Sequence, residues 1–312
     1  MKKQLWVLAL FWSVLAAQAA CAETYRDDFK PDEVLIYNYD IKPDRASTHT
    51  RLHKGLPLRL RSNIALIYDE QTRRPIYNKN SEAVVPIASI TKLMTAMVML
   101  DAKLPMDEPV NVTEDDLNRI RRAKSKLRVG MTLTRSDMLR LALMASENRA
   151  ALALARSYPG GPAAMVAAMN AKARVLGMKD TKFFDPTGLD SDNVSTAQDL
   201  VKMVSAARYY PLIHQYTTSA SHSVEGLRGR TMRFSNTNPL VRNASWEIGV
   251  SKTGYISEAG LCLVMEATIK QRPVIIVLLD SWGKHTRVGD ANRIKKWMES
   301  THNLDSLLSM AD

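Results

Sequence analysis

The spacing of apolar positions changes character along the chain. Directly after Asn63 comes an unbroken apolar run, Ile64-Ala65-Leu66-Ile67-Tyr68, the pattern of a buried strand. Turn-forming residues over 69–74 and a second short run at Ile76-Tyr77 make it a hairpin. Over 86–101 the period lengthens: Ile87, Ile90, Met94, Met97 and Val98 recur on one face of a helix. Similar reasoning predicts helices over 136–145, 149–157, 162–176, 196–207 and 293–300. Strands are predicted over 245–251, 261–267 and 274–279, spaced closely enough to be antiparallel neighbours. Strands, then many helices, then strands and a helix is not the alternation of a doubly wound sheet. The order predicts an α+β fold, an antiparallel sheet built from both ends of the chain and flanked by helices, with an all-helical lobe inserted.

The ends of the chain add a compartment. Lys2 and Lys3 precede an apolar run over 5–17, and Ala17-Gln18-Ala19 or Ala20-Cys21-Ala22 offers a small-x-small cleavage site. Residues 1–22 therefore read as an export signal, and the run falls short of the about 20 apolar residues that span a membrane. Gln18 occupies the place where a lipoprotein signal carries an aliphatic residue, which argues against lipidation of Cys21. Residues 23–60 are polar, proline-broken and basic after Lys42, an extension ahead of a folded domain over 61–301 and a short tail over 302–312. Cleavage after Ala22 leaves one thiol, Cys262, whose apolar surroundings predict a buried core residue.

Composition narrows the class. With 46% hydrophobic and 24% charged residues in 312, the chain is neither disordered nor collagen-like. Its 43 Lys+Arg against 32 Asp+Glu, a net charge of +11, point to an anionic partner. Export removes nucleic acid from consideration, leaving loose association with anionic lipid or wall polymer as the expectation. Two cysteines form at most one bridge, and no Cys/His set has zinc-ligand spacing, so neither a metal nor a cofactor is expected.

Candidate chemistry begins with Ser89-Ile90-Thr91-Lys92 near the start of the 86–101 helix. Side chains three apart on a helix point the same way, so the amine can reach the hydroxyl and act as its base. Ser281-Trp282-Gly283-Lys284 repeats the spacing but follows a strand and contains a glycine. Two further sets carry the weight: Ser146-Glu147-Asn148 between two helices, and Lys252-Thr253-Gly254 at the end of a strand. A literal Ser191-Asp192-Asn193 competes with Ser146, but it follows the turn-rich Asp185-Pro186-Thr187-Gly188-Leu189 and reads as solvated loop. Other hydrolase patterns are missing: there is no G-x-S-x-G or H-E-x-x-H, and His49 and His53 lack a third ligand nearby.

With these three motifs in this order the sequence resembles the serine D,D-peptidases, the low-molecular-mass penicillin-binding proteins that share a fold with the serine β-lactamases. The resemblance runs over 63–297, and the stretches 86–96, 146–150, 184–196 and 251–260 resemble the D-alanyl-D-alanine endopeptidase branch. The short tail, without the second all-β domain and amphipathic anchor usual in carboxypeptidase relatives, points the same way. The resemblance implies Ser89 as nucleophile, Lys92 as its base and Ser146 as proton relay. It implies Asn148 as a hydrogen-bond partner of a substrate amide, and Lys252 as the second cation that, together with desolvation, keeps Lys92 neutral. Backbone N–H groups of Ser89 and Tyr255 would form an oxyanion hole, Gly254 would leave room for substrate, and Lys252, Thr253 and Arg287 would clamp a carboxylate. The E-x-x-L-N pattern of class A β-lactamases is missing, so a β-lactam is expected to acylate Ser89 and leave slowly. Expected partners are peptidoglycan stem peptides, their cross-links and β-lactams. A D,D-carboxypeptidase and a non-catalytic penicillin-binding sensor are the alternatives to the endopeptidase.

Overall fold

The structure, a computed structural model, describes residues 58–118 and 125–300. The expected signal, most of the basic extension and the tail over 302–312 lie outside the described residues. The chain enters through strands β1 (Ile64–Asp69), β2 (Arg74–Lys79) and the two-residue β3 (Val85–Pro86), followed by helix α1 (Thr91–Asp101). The helical lobe contains β4 (Pro109–Asn111), α2 (Glu114–Asn118), β5 (Thr132–Thr134), α3 (Arg135–Met144), α4 (Asn148–Ser157) and α5 (Gly161–Val175). Then come β6 (Val194–Ser195), α6 (Ala197–Ala207), α7 (Pro211–Thr218), β7 (Ser221–Glu225) and β8 (Thr231–Ser235). Three long strands, β9 (Glu247–Ile256), β10 (Gly260–Ile269) and β11 (Arg272–Ser281), lead to the last described helix, α8 (Thr286–Ser300). No helix among the described residues is long and apolar enough to cross a membrane.

The main sheet has the order β2-β1-β11-β10-β9, with every neighbour antiparallel. Its centre joins the two ends of the chain, with Ile64 opposite Leu279 and Tyr68 opposite Ile275. Every residue of β1 is buried because both faces of the sheet are covered, which turns an alternating pattern into a continuous apolar run. Ile64, Leu66, Val264, Ile275 and Val277 meet the helical lobe. Ala65, Ile67, Leu263, Met265, Ile276 and Leu278 meet Ala291, Ile294 and Met298 of α8. Within the lobe α1 is buried on all sides from Thr91 to Met99, as a central helix must be. The α+β sheet from both ends with an inserted helical lobe is thus observed.

Several predicted boundaries move. The helix expected over 86–101 begins at Thr91: Val85–Pro86 pairs with β6, and Ala88–Ile90 forms a separate 3-10 turn. The strand expected over 245–251 runs on to Ile256, so Lys252-Thr253-Gly254 lies inside it rather than at its end. The helix expected over 293–300 starts at Thr286, because Gly289 and the buried Asp290 interrupt the apolar period. Short elements such as α7 and the β7–β8 hairpin escape sequence reading altogether. The hairpin buries only Val224 and Phe234, too few positions to make a pattern. Cys262 is fully buried as expected, and burial pushes its thiol up to about 11.

Asp290 ties α8 to the entry of β1. Its carboxylate accepts from Arg61 N–H (3.0 Å), Ser62 N–H (2.7 Å) and Ser62 Oγ (2.6 Å), and from the Arg293 guanidinium. Ser62 Oγ, its proton given to Asp290, accepts from Ser281 Oγ–H at 2.7 Å, so the serine of the second S-x-x-K spacing is structural. Asp290→Ala would leave these buried donors unpaired, and we expect a loss of about 3 kcal/mol. A lowered urea midpoint at unchanged slope would report it.

Candidate active site

Ser89 sits on the 3-10 turn ahead of α1, and two glycines press on that turn from opposite sides. A Cβ on Gly254 of β9 would lie 3.0 Å from Ile87 O and 3.2 Å from Ser89 N. A Cβ on Gly188 would lie 1.8 Å from Ala88 O. Between them Ala88 is held at φ +46°, a left-handed conformation that costs a non-glycine residue energy and that clusters at functional sites. The turn is therefore fixed by its neighbours, and Ser89 Oγ with it.

Lys92 lies one helical turn further on and is 1% exposed. Its Nζ is 2.8 Å from Ser89 Oγ, 2.7 Å from Asn148 Oδ1 and 2.6 Å from Thr187 O. Two of these three partners can only accept a proton. A neutral amine has two N–H bonds and one lone pair, so once Asn148 and Thr187 have taken the N–H bonds the lone pair faces Ser89 Oγ–H. Burial pushes Lys92 down to about 7, against the opposing charges of Asp185 and Glu147. Sequence reading expects desolvation and the neighbouring Lys252 together to keep Lys92 neutral, and burial is the leading cause. Lys252 is itself held well below the ordinary lysine range, by burial first and then by Lys92 and Arg287.

The loop carrying Thr187 is built by its own polar side chains. Asp185 Oδ1 accepts from the N–H of Thr187 (3.0 Å) and Gly188 (2.6 Å), an Asx turn. Asn193 Oδ1 accepts from Phe184 N–H (2.7 Å) and Asp185 N–H (3.1 Å), while its Nδ2 donates to Thr91 Oγ1 (3.1 Å). Thr95 Oγ1 donates to Pro186 O (2.7 Å). The loop is thereby pinned along α1 with Thr187 O aimed at Lys92. Sequence reading treats Ser191 as a solvated loop residue; it is half-buried, and Asn193, two residues on, is a fully buried clasp of this segment.

Ser146 and Asn148 occupy the tight link between α3 and α4. Ser146 has φ +58°, the position after a helix end that glycine usually takes. A serine there costs roughly 1–2 kcal/mol over glycine, so its hydroxyl must be useful. Lys252 Nζ donates to Ser146 Oγ at 2.9 Å and to Thr253 O at 2.9 Å. Glu147, buried between the two, accepts from Ser125 Oγ (2.8 Å) and Lys126 N–H (2.9 Å) and so fixes the adjoining loop. Asn148, its Oδ1 engaged by Lys92, keeps Nδ2 as a donor.

β9 is an edge strand, and the orientation of its free edge follows from Arg287. One guanidinium nitrogen, Nη1, donates to both Gly254 O (2.8 Å) and Cys262 O (3.1 Å). It can reach both only if the carbonyls of this cross-strand pair face each other. The flanking residues Thr253 and Tyr255 then turn their N–H and C=O groups outward to the free edge. Thr253 Oγ1 lies 2.6 Å from Thr237 Oγ1, and the Tyr255 ring is 61% exposed. Among the described residues no group of three or more His, Cys, Asp or Glu is placed to hold a metal.

The structure thus gathers all nine residues singled out in sequence: Ser89, Lys92 and Asn148 in direct contact, Ser146 on Lys252, and Thr253, Gly254, Tyr255 and Arg287 along or behind β9. Thr187, Asp185, Asn193 and Glu147 were not singled out. Their contributions are a main-chain carbonyl and loop clasps, and the available signal was the Asp-Pro-x-Gly turn chemistry. A hydroxyl facing an amine lone pair, a second hydroxyl on a second amine and outward edge N–H groups suit acyl transfer.

A family model described as D-alanyl-D-alanine carboxypeptidase matches residues 50–283. A D-alanyl-D-alanine endopeptidase of Pseudomonas aeruginosa is 50% identical over 249 residues, covering 79% of this chain and 80% of the relative. One of Escherichia coli is 47% identical over 240 residues, 77% of each. Among solved structures, the Streptomyces K15 DD-transpeptidase superposes with a TM-score of 0.72 at 27% identity, covering 77% of this chain and 97% of that one.

Proposed function

The chain belongs to the D-alanyl-D-alanine carboxypeptidase family of serine peptidases, and on that premise we propose that it is a D,D-endopeptidase hydrolysing D-alanyl cross-links of peptidoglycan through an acyl-enzyme on Ser89. The observation that carries the reading is Lys92 Nζ lying 2.8 Å from Ser89 Oγ while its other two neighbours, Asn148 Oδ1 and Thr187 O, are both acceptors. Ser89 Oγ attacks the D-alanyl carbonyl as its proton moves to Lys92. The N–H groups of Ser89 and Tyr255 hold the oxyanion, and the loss of one such donor costs on the order of a hundredfold or more in rate. Ser146, held by Lys252, relays to the departing nitrogen the proton that Lys92 took from Ser89, so the C–N bond breaks and Lys92 is neutral again. Water then attacks the ester as its proton moves to Lys92, and that proton passes to Ser89 Oγ as the stem peptide leaves. Asn148 Nδ2 donates to a substrate amide carbonyl. Lys252, Thr253 and the positive charge of Arg287 receive the substrate carboxylate, although Nη1 of Arg287 is engaged by backbone.

Support for the endopeptidase branch comes from the P. aeruginosa and E. coli relatives. A D,D-carboxypeptidase uses the same groups and is favoured by the description of the matching family. A purified cross-linked dimer and an uncross-linked pentapeptide muropeptide, digested with the wild type and with Ser89→Ala, separate the two. Cleavage of the dimer by the wild type alone is expected, and cleavage of only the pentapeptide would overturn the endopeptidase reading. Labelled penicillin bound without either muropeptide being cut would make the protein a sensor.

The cellular setting follows from the sequence. We place residues 1–22 as an export signal, 23–60 as a basic extension and 61–301 as the catalytic domain, in a periplasmic protein acylated by β-lactams. The net charge of +11 favours loose association with anionic lipid or wall polymer and, in that compartment, no nucleic acid.

A further inference from the structure

Between β8 and β9 the chain passes through Asn236-Thr237-Asn238, in which both asparagines are buried and the threonine is exposed. Asn236 Nδ2 donates to Thr217 O (2.8 Å) and Ser219 O (2.9 Å), and its Oδ1 accepts from Asn238 N–H at 2.9 Å. Asn238 Nδ2 donates to Ser251 Oγ (2.8 Å), beside Lys252 on β9, and its Oδ1 accepts from Leu240 N–H at 3.1 Å. Thr237 N–H donates to Met144 O at 3.1 Å, at the end of α3 that leads into Ser146. The backbone of Thr237 is thus fixed to the helical lobe, and its neighbours tie it to β9. Burial does not account for its side chain.

That side chain reaches the strand of the third motif. Thr237 Oγ1 lies 2.6 Å from Thr253 Oγ1, whereas Met144 O, which already accepts Thr237 N–H, is 3.5 Å from the same hydroxyl, the outer limit of a hydrogen bond. Each threonine carries one hydroxyl proton and the pair shares one hydrogen bond, so one proton is left over. When Thr253 donates to Thr237, the spare proton belongs to Thr237 and finds the distant Met144 O. When Thr237 donates to Thr253, the spare proton belongs to Thr253 and is free for a ligand on β9. A carboxylate can only accept, so its arrival selects the second arrangement, and a hydroxyl that itself accepts a hydrogen bond is the stronger donor. A neutral ester in the same place gains less, because a hydrogen bond to a charged group is roughly twice as strong.

We propose that Thr237 is a positioning residue for substrate recognition: its hydroxyl donates to Thr253 Oγ1 and so turns the Thr253 O–H towards the substrate carboxylate. Thr237 acts through Thr253 and not on the reacting bond. The inference rests on the reading above that Thr253 receives that carboxylate, and adds the group that sets its hydroxyl.

The test compares a penicillin with its methyl ester, which lacks the anionic carboxylate, by the rate at which each acylates Ser89 in the full-length protein, followed by intact mass. Wild type should react faster with the free acid. In Thr237→Val, which keeps the branched shape and loses the hydroxyl, the preference for acid over ester should shrink about tenfold, mainly through weaker saturation by the acid. Thr237→Ser should restore it. A preference unchanged in Thr237→Val would overturn the inference, even where both rates fall together, since a purely structural role lowers both alike. A wild type without the preference would overturn it too. Muropeptide digestion keeps the two readings apart. A wild type whose preference depends on Thr237 but which cuts neither muropeptide overturns the peptidase and supports the role of Thr237, whereas hydrolysis with a preference indifferent to Thr237 does the reverse. No acylation of the wild type by either compound overturns both.

Discussion

Lys92→Met should abolish both muropeptide hydrolysis and penicillin acylation, by roughly a thousandfold or more, the upper range for loss of a general base. The variant should still fold. Methionine matches the length of the lysine stem, and replacing a buried amine by an apolar group removes a desolvation cost, against which two carbonyl acceptors, Asn148 Oδ1 and Thr187 O, lose a donor. The wild-type acylation rate should fall about tenfold per pH unit below about 7, where Lys92 becomes charged and its lone pair is lost. Stability has its own sign. Burial holds the folded value of Lys92 at about 7 against an ordinary 10.5, so between those limits the unfolded chain binds the extra proton. Wild-type stability therefore rises with pH in that window from this residue, by at most ~1.4 kcal/mol per unit. Lys92→Met should lose that slope, and urea titrations of both proteins at pH 7.5 and 9.5 measure it. A variant that keeps the slope, or still acylates at a tenth of the wild-type rate, would remove Lys92 from its place as base.

The second large effect is expected at a residue with no side chain. Gly188→Ala places a methyl group 1.8 Å from Ala88 O and 2.3 Å from Ala88 C, at a residue with φ +79°. Neither partner can yield, because Ala88 carries the serine turn and the loop is clasped by Asp185 and Asn193. Overpacking and left-handed strain together should cost roughly 2–5 kcal/mol. Displacement of Thr187 O should also lower kcat at least a hundredfold, since misplacement by about an ångström is enough for that. Gly177→Ala is the control. It has φ +69° with nothing within 4 Å of the added Cβ, so it should show the conformational cost of roughly 1–2 kcal/mol and full activity. Equal midpoints for the two variants in thermal or urea unfolding would mean that the Gly188 contact carries no weight.

These two positions mark the division between what was legible in the sequence and what was not. Ser89, Lys92, Ser146, Asn148 and Lys252 meet through their side chains, and side chains at fixed spacing are what a motif records. Thr187 meets Lys92 through a carbonyl, which every residue has, and only the fold decides which one faces Lys92. The sheet from both ends was readable because β1 and β11 are buried on both faces and so are apolar throughout. β9 was cut short because a strand bearing Lys252, Gly254 and an outward Tyr255 loses its apolar signature where the chemistry lies. The start of α8 was hidden for a related reason: buried Asp290 serves a hydrogen-bond cluster and breaks the period. Function and polar staples overwrite the pattern that burial alone would print.

The pairing of Ile64 with Leu279 also governs when the molecule can exist. The first strand has no permanent neighbour on that side until nearly the whole polypeptide has left the ribosome, and long-range closure of this kind is slow. Until β11 is made, the main sheet cannot close. A product terminated before residue 272 would lack the central strand and should be degraded rather than accumulate as a partial domain.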